Sequence, residues 1–173
     1  MERTEWLDFS HIQRNQPAPS FRLNSSRGGT VALSDDRGRR NLVLVFLPGL
    51  DCPGCRAALQ NFADRYREYQ AGAAQVLVVV SSPAAQRALE EGAAYPFPVL
   101  GDPEGEVRRD YVALLPVPVG DDQPVVFILD RYRAPYVAWT GPEPDDPALQ
   151  DEFLDWLDFM EFQCPECGAP EWP

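Results

Sequence analysis

The stretch Asn41-Leu42-Val43-Leu44-Val45-Phe46-Leu47 carries no charged side chain and, after Asn41, no polar one. A strand with one wet face alternates apolar and polar residues. A run without alternation suits a strand covered on both faces, as in a parallel sheet with helices packed above and below. The run stops at Pro48-Gly49. Two further runs of the same kind follow, Gln75 to Val80 and Pro124 to Asp130. Three such strands need a layered fold to bury them, and a chain of 173 residues is long enough for one such domain.

The segments between them read as helices and shorter strands. After Cys52, the residues Leu59, Phe62, Tyr66 and Tyr69 recur at helical spacing, and the stretch ends near Gly72. Pro83 to Glu91 reads as a helix, Phe97 to Leu100 as a short strand, and Gly105 to Leu114 as another helix. Pro135 to Trp139 follows the third apolar run across a short polar turn, which predicts antiparallel pairing. Leu149, Phe153, Trp156 and Met160 mark a final amphipathic helix. In front, Pro17 to Leu23 and Gly29 to Leu33 read as a hairpin around Arg27-Gly28-Gly29. Trp6, Leu7, Phe9 and Ile12 suggest a short helix near the N-terminus.

The order is a hairpin, then β-α-β-α, then β-β-α. That alternation predicts an α/β fold with a central mixed sheet and flanking helices. At the junction of the first buried strand and its helix stands Cys52-Pro53-Gly54-Cys55. In that context Cys-x-x-Cys reads as a thioredoxin-like redox motif. Backbone N–H groups at a helix start lack intrahelical partners, and the dipole's positive end favours an anion. Both favour the thiolate, the reactive form. Pro53 suits the first helical turn, and Arg56 adds a nearby positive charge. One sulfur can attack a substrate and the other resolve the mixed disulfide.

The net charge of −12 argues against nucleic acid as a partner, since phosphate binding needs a basic surface. After Arg133 no basic residue occurs, although acidic ones continue to Glu171. No apolar stretch is long enough to span a membrane. The opening residues lack the layout of a secretory signal, so the expected location is cytoplasmic. There, paired cysteines read as redox or metal sites. His11, the one histidine, reads as a surface residue, which leaves a Cys-His protease without its base.

The chain resembles peroxiredoxins of the alkyl hydroperoxide reductase/thiol-specific antioxidant (AhpC/TSA) family, nearest the bacterioferritin-comigratory type. The matching segments are Gln16 to Phe21, Leu33 to Gly38, the Pro48 to Cys55 loop, and Phe97 to Val107. Over roughly residues 15–140 the resemblance implies a thioredoxin-like fold of the peroxiredoxin variant. It also implies an oxidoreductase with antioxidant activity, no required cofactor, and a thioredoxin-type reductant as partner. It implies that Pro48 belongs to the site and that Cys55 holds the peroxidatic position. Cys52 then stands where the family has a threonine. The family's arginine, three residues before the Phe of a Phe-x-x-Asp strand, corresponds to Pro124, three before Phe127. Thioredoxin-like reductases place a cis-proline beside their Cys-x-x-Cys, and Gln123-Pro124 is expected to be such a bond, the alternative being a strand-initiating proline. Cys52 is expected to attack disulfides, and Cys55 any peroxide. Arg56 or Arg108 is available to replace the missing arginine.

These readings divide the chain into an N-terminal extension over 1–14, a thioredoxin-like redoxin domain over 15–163, and a tail over 164–173. The tail holds Cys164-Pro165-Glu166-Cys167-Gly168, which looks like one knuckle of a zinc ribbon. It reads as a second redox pair, as two ligands to zinc, or as an ordinary dithiol. The primary expectation is thiol–disulfide oxidoreductase chemistry at Cys52 and Cys55, with peroxide reduction alongside it. The alternative is a zinc-binding interaction module on the same scaffold with Cys164 and Cys167 as ligands. Expected partners are a thiol or disulfide protein or a peroxide; a homodimer is left open.

Overall fold

The computed structural model describes residues 5–9 and 16–163. Eight strands form one mixed sheet in the order β1-β8-β7-β4-β5-β6-β2-β3. The central strands are β4 (Asn41–Leu47), β5 (Ala74–Ser81) and β7 (Val125–Leu129). β4 pairs with β5 in parallel and with β7 antiparallel. Every residue of β4 and β7 is buried, as their unalternating sequences require.

β6 (Val99–Asp102) continues the parallel half of the sheet beside β5. The hairpin of β2 (Arg22–Ser25) and β3 (Thr30–Ala32) closes that side, with β2 antiparallel to β6. On the other side β8 (Pro135–Thr140) pairs antiparallel with β7, as the short link predicts.

The N-terminus departs from the sequence reading. Glu5–Asp8 is a strand, β1, antiparallel to β8, and not a helix. Trp6 packs toward one face of the sheet, while Leu7 and Phe9 pack toward the other. That is a period of two, which a strand satisfies and a helix does not. Ile12 and His11 lie outside the described residues.

Helices cover both faces. On one face lie α1 (Cys55–Asp64), α2 (Tyr66–Ala71), α3 (Ala85–Glu91) and α5 (Ala148–Glu161). Leu59, Phe62, Tyr69 and Phe153 meet Val43, Val45, Val78 and Trp139 there. The stretch expected to run as one helix to Gly72 breaks at Arg65, which is off helical geometry. On the opposite face α4 (Glu106–Val112) sends Tyr111 against Phe46 and Phe127, with ring centroids 5.3 and 5.2 Å away. Burying each such side chain is worth about 1.5–3 kcal/mol, so these layers fix β4, and with it the loop that follows.

Candidate active site

β4 delivers the chain to Pro48 at the carboxyl end of the sheet, and α1 begins at Cys55. The loop between them carries the dithiol. Cys52 and Cys55 form a disulfide, with Cα atoms 5.1 Å apart. The two cysteines differ in access. Cys55 is wholly buried under α1, beside Leu50 and Leu59 in the core. Cys52 is half-buried and lines a cavity of about 340 Å³.

The turn around the pair is tight. The Cys55 N–H donates to the Cys52 carbonyl at 3.0 Å. Pro53 precedes the helix, and Gly54 caps it with φ +79°. Pro53 therefore shapes the turn outside the helix, two residues before its first residue, and not within its first turn. A β-carbon on Gly54 would stand 3.2 Å from Asp145 Oδ1 and 3.4 Å from Pro144 Cγ. Glycine is needed on both counts, for its left-handed backbone and for the close approach of the 141–147 loop. That loop is held by Asn61 Nδ2, which donates to the Asp145 carbonyl at 3.0 Å.

Three segments wall the cavity with Cys52: Pro48 and Pro53 from the dithiol loop, Asp122 to Pro124 before β7, and Gly141, Pro142 and Pro144 after β8. Pro48 and Pro124 are thus brought to the dithiol, as expected. Among the described residues the cis peptide bond is Ser82–Pro83, so the expectation of a cis Gln123–Pro124 bond is not met. Pro124 enters β7 as a strand-initiating proline, and its carbonyl accepts from Thr140 Oγ1 at 3.2 Å. The chain reverses one step earlier, where the Gln123 N–H donates to Gly120 at 3.1 Å.

No arginine lines this cavity. Arg56 is exposed on α1 and outside the lining. Arg108 is buried on α4 and also outside the lining. One of its nitrogens donates to the carbonyls of Gly120 and Gln123, both at 2.8 Å. Burial pushes its guanidinium below the usual range, and Asp121, Asp122 and Asp102 act against that. It braces the turn that carries Asp122, Gln123 and Pro124. Asp51, next to Cys52, lies 3.6 Å from Arg87 in an exposed ion pair.

The second cysteine pair, Cys164 and Cys167, lies outside the described residues. Gln163, just before it, donates to the Tyr136 hydroxyl at 2.7 Å, and Glu161 accepts from Asn41 Nδ2 at 2.8 Å. The end of α5 is therefore anchored at the Asn41 end of β4, whereas Cys52 follows its Leu47 end. A seven-residue strand spans about 20 Å. No cluster of three or more His, Cys, Asp or Glu side chains suited to a metal occurs among the described residues.

The sequence reading missed the contribution of the 141–147 loop. Its signal is the density of proline between β8 and α5, at Pro142, Pro144 and Pro147.

The profile of the AhpC/TSA family matches residues 15–134. The chain belongs to the AhpC/TSA family. Peroxiredoxin 2 of Thermoplasma acidophilum is 35% identical over 144 residues, covering 76% of this chain and 70% of that protein. Chloroplastic peroxiredoxin Q of Populus jackii is 30% identical over 104 residues, 60% of this chain and 48% of that one. The chain thus spans about half the length of the chloroplastic relatives it matches. Among solved structures, peroxidoxin BcpB of Mycobacterium tuberculosis superposes with a TM-score of 0.68 at 22% identity, covering 87% of this chain and 98% of that one. A putative thiol:disulfide interchange protein DsbE of Chlorobium tepidum gives 0.66 at 27% identity, covering 83% and 97%. The central mixed sheet with its flanking helices is the thioredoxin-like fold of this family. The matched span includes Pro48, Cys52, Cys55 and Pro124.

Proposed function

We propose that this chain is a thiol oxidoreductase whose working couple is the Cys52/Cys55 dithiol and its disulfide. The observation that carries this is the bonded pair itself, with Cys52 open to a cavity and Cys55 sealed in the core.

That asymmetry gives a direction to exchange. In the reduced protein the Cys52 thiolate attacks a substrate disulfide, forms a mixed disulfide and expels one thiolate. Cys55 then attacks the Cys52 sulfur, closes the internal disulfide and releases the second thiolate. Two electrons pass to the substrate, and the released thiolates take protons from solvent. In the oxidised protein a thioredoxin-type reductant attacks the Cys52 sulfur, the accessible one, and Cys55 leaves. The N-terminus of α1 favours the thiolate at both stages.

Family membership supports a second route to the same disulfide, in line with the relatives named as peroxiredoxins. The Cys55 thiolate takes the distal oxygen of a peroxide, giving a sulfenic acid and an alcohol or water. Cys52 condenses with the sulfenic acid, forms the disulfide and releases water. Cys55 must become exposed for this, and no arginine lines the cavity to stabilise the leaving oxygen. Disulfide exchange is therefore the faster reaction.

Stopped-flow measurement of thiol loss tests this on wild type, Cys52→Ser and Cys55→Ser. Wild type reacts faster with bis(2-hydroxyethyl) disulfide than with hydrogen peroxide. Cys52→Ser loses the disulfide reaction, and Cys55→Ser keeps its first step. Full reaction in both single variants would place the chemistry elsewhere.

A further inference from the structure

We propose that Asp122 and Asp145 make the Cys52 cavity select its disulfide substrates by charge, favouring cationic over anionic ones. This rests on the reading of Cys52 as the attacking thiol.

The reactive site is the dithiol; of the carboxylates near it, Asp51 is paired with Arg87, and Asp122 and Asp145 form no ion pair among the described residues. Asp122 stands in the cavity wall with Cys52. The rest of that wall is Gln123, Gly141 and five proline rings, which carry no charge. Asp145 lies outside that lining, against the Gly54 turn. Its Oδ1 is 3.2 Å from the β-carbon position of Gly54, between the two cysteines, and Asn61 and the buried Pro144 hold it there. Both aspartates are exposed.

The nearby cations are placed elsewhere. Arg87 is shared between Asp51 at 3.6 Å and Glu91 at 3.0 Å. Arg108 is buried and donates to the carbonyls of the 120–123 turn. Arg56 is exposed and outside the lining. A substrate that reaches the Cys52 sulfur meets the Asp122 carboxylate in the cavity wall, with Asp145 near the Gly54 turn, along walls of low polarity that focus the field. A disulfide with ammonium groups flanking its sulfurs is attracted; one with carboxylates is repelled. The step is the exchange described above, with two electrons leaving the dithiol and two thiols released.

The test uses three disulfides of similar size: bis(2-aminoethyl) disulfide, bis(2-hydroxyethyl) disulfide and 3,3′-dithiodipropionate. Second-order rate constants are measured for the reduced protein and for Asp122→Asn/Asp145→Asn. The readout is the cation-to-anion rate ratio of wild type divided by that of the variant, which cancels the intrinsic reactivity of each probe. The ratio falls about tenfold in the variant at low salt, and less at high salt, where exposed charges are screened. A control variant, Asp64→Asn/Asp158→Asn, removes the same charge from exposed positions toward the far ends of α1 and α5 and keeps the wild-type ratio. A ratio unchanged in Asp122→Asn/Asp145→Asn, or changed equally in the control, overturns the proposal and leaves the exchange reading intact. No reaction of wild type with the neutral disulfide overturns both.

Discussion

Cys52 and Cys55 are joined by a disulfide, yet only Cys52 faces the cavity; Cys55 has no exposed surface at all. Three residues of sequence separate a reactive position from a sealed one. The turn that achieves this depends on Gly54, on the 141–147 loop and on the brace behind Pro124.

Gly54 is the first point of test. A side chain there meets Asp145 and Pro144 and is forced into the left-handed region. Gly54→Ala should cost about 1–2 kcal/mol from the backbone alone, with the crowding added. Urea unfolding of the oxidised protein measures this. A midpoint equal to that of wild type would show that the turn relaxes freely.

Arg108 supplies the second. Arg108→Met strips two carbonyls of the 120–123 turn of their side-chain donor. The Gly120 carbonyl keeps the Gln123 N–H, so the loss falls on the part-buried Gln123 carbonyl and costs about 1–3 kcal/mol. Thermal unfolding should show the loss, and the rate with a neutral disulfide should fall as the cavity wall loosens. Arg108→Lys keeps the charge and one donor, so it should recover part of both. Recovery of neither would mean that the bidentate geometry is what matters.

The core contains a pH-dependent element. Tyr69 donates to Gln150 Oε1 at 2.7 Å, and Tyr111 donates to the Pro19 carbonyl at 2.9 Å. Burial raises both phenols well above their ordinary value. In the unfolded chain a tyrosine ionises near about pH 10. The folded state therefore holds its protons more tightly, and stability is complete below that pH and declines as pH rises above it. Urea midpoints of the oxidised protein at neutral and alkaline pH should show the decline. Tyr69→Phe should lessen the slope and cost about 1–2 kcal/mol at pH 7, because Gln150 is left without its partner.

The sheet was legible because its central strands carry unbroken apolar runs, and β4 matches the run from Asn41 to Leu47 end to end. The antiparallel return of β8 followed from a short link. The N-terminal strand was not legible, because Trp6, Leu7, Phe9 and Ile12 satisfy a helical spacing as readily as an alternating one; pairing with β8 decides between them. At the site, Cys52, Cys55, Pro48 and Pro124 were readable from motif and position. The expected cis bond at Pro124 was borrowed from dithiol reductases, and here the 120–123 turn reverses the chain before the proline. Asp122 and Asp145 carry no local signature. They reach the dithiol because β7 begins beside the end of β4 and β8 ends beside the start of β7, a matter of sheet order that no short window contains.

The central claim is that Cys52 is the attacking sulfur and Cys55 the resolving one. Mass spectrometry of reduced Cys55→Ser after a brief exposure to bis(2-hydroxyethyl) disulfide tests it most directly. A stable mixed disulfide on Cys52 is the predicted result, with none on Cys55 when Cys52→Ser is treated in parallel. A mixed disulfide on Cys55 in Cys52→Ser, formed as fast as that on Cys52, would contradict it.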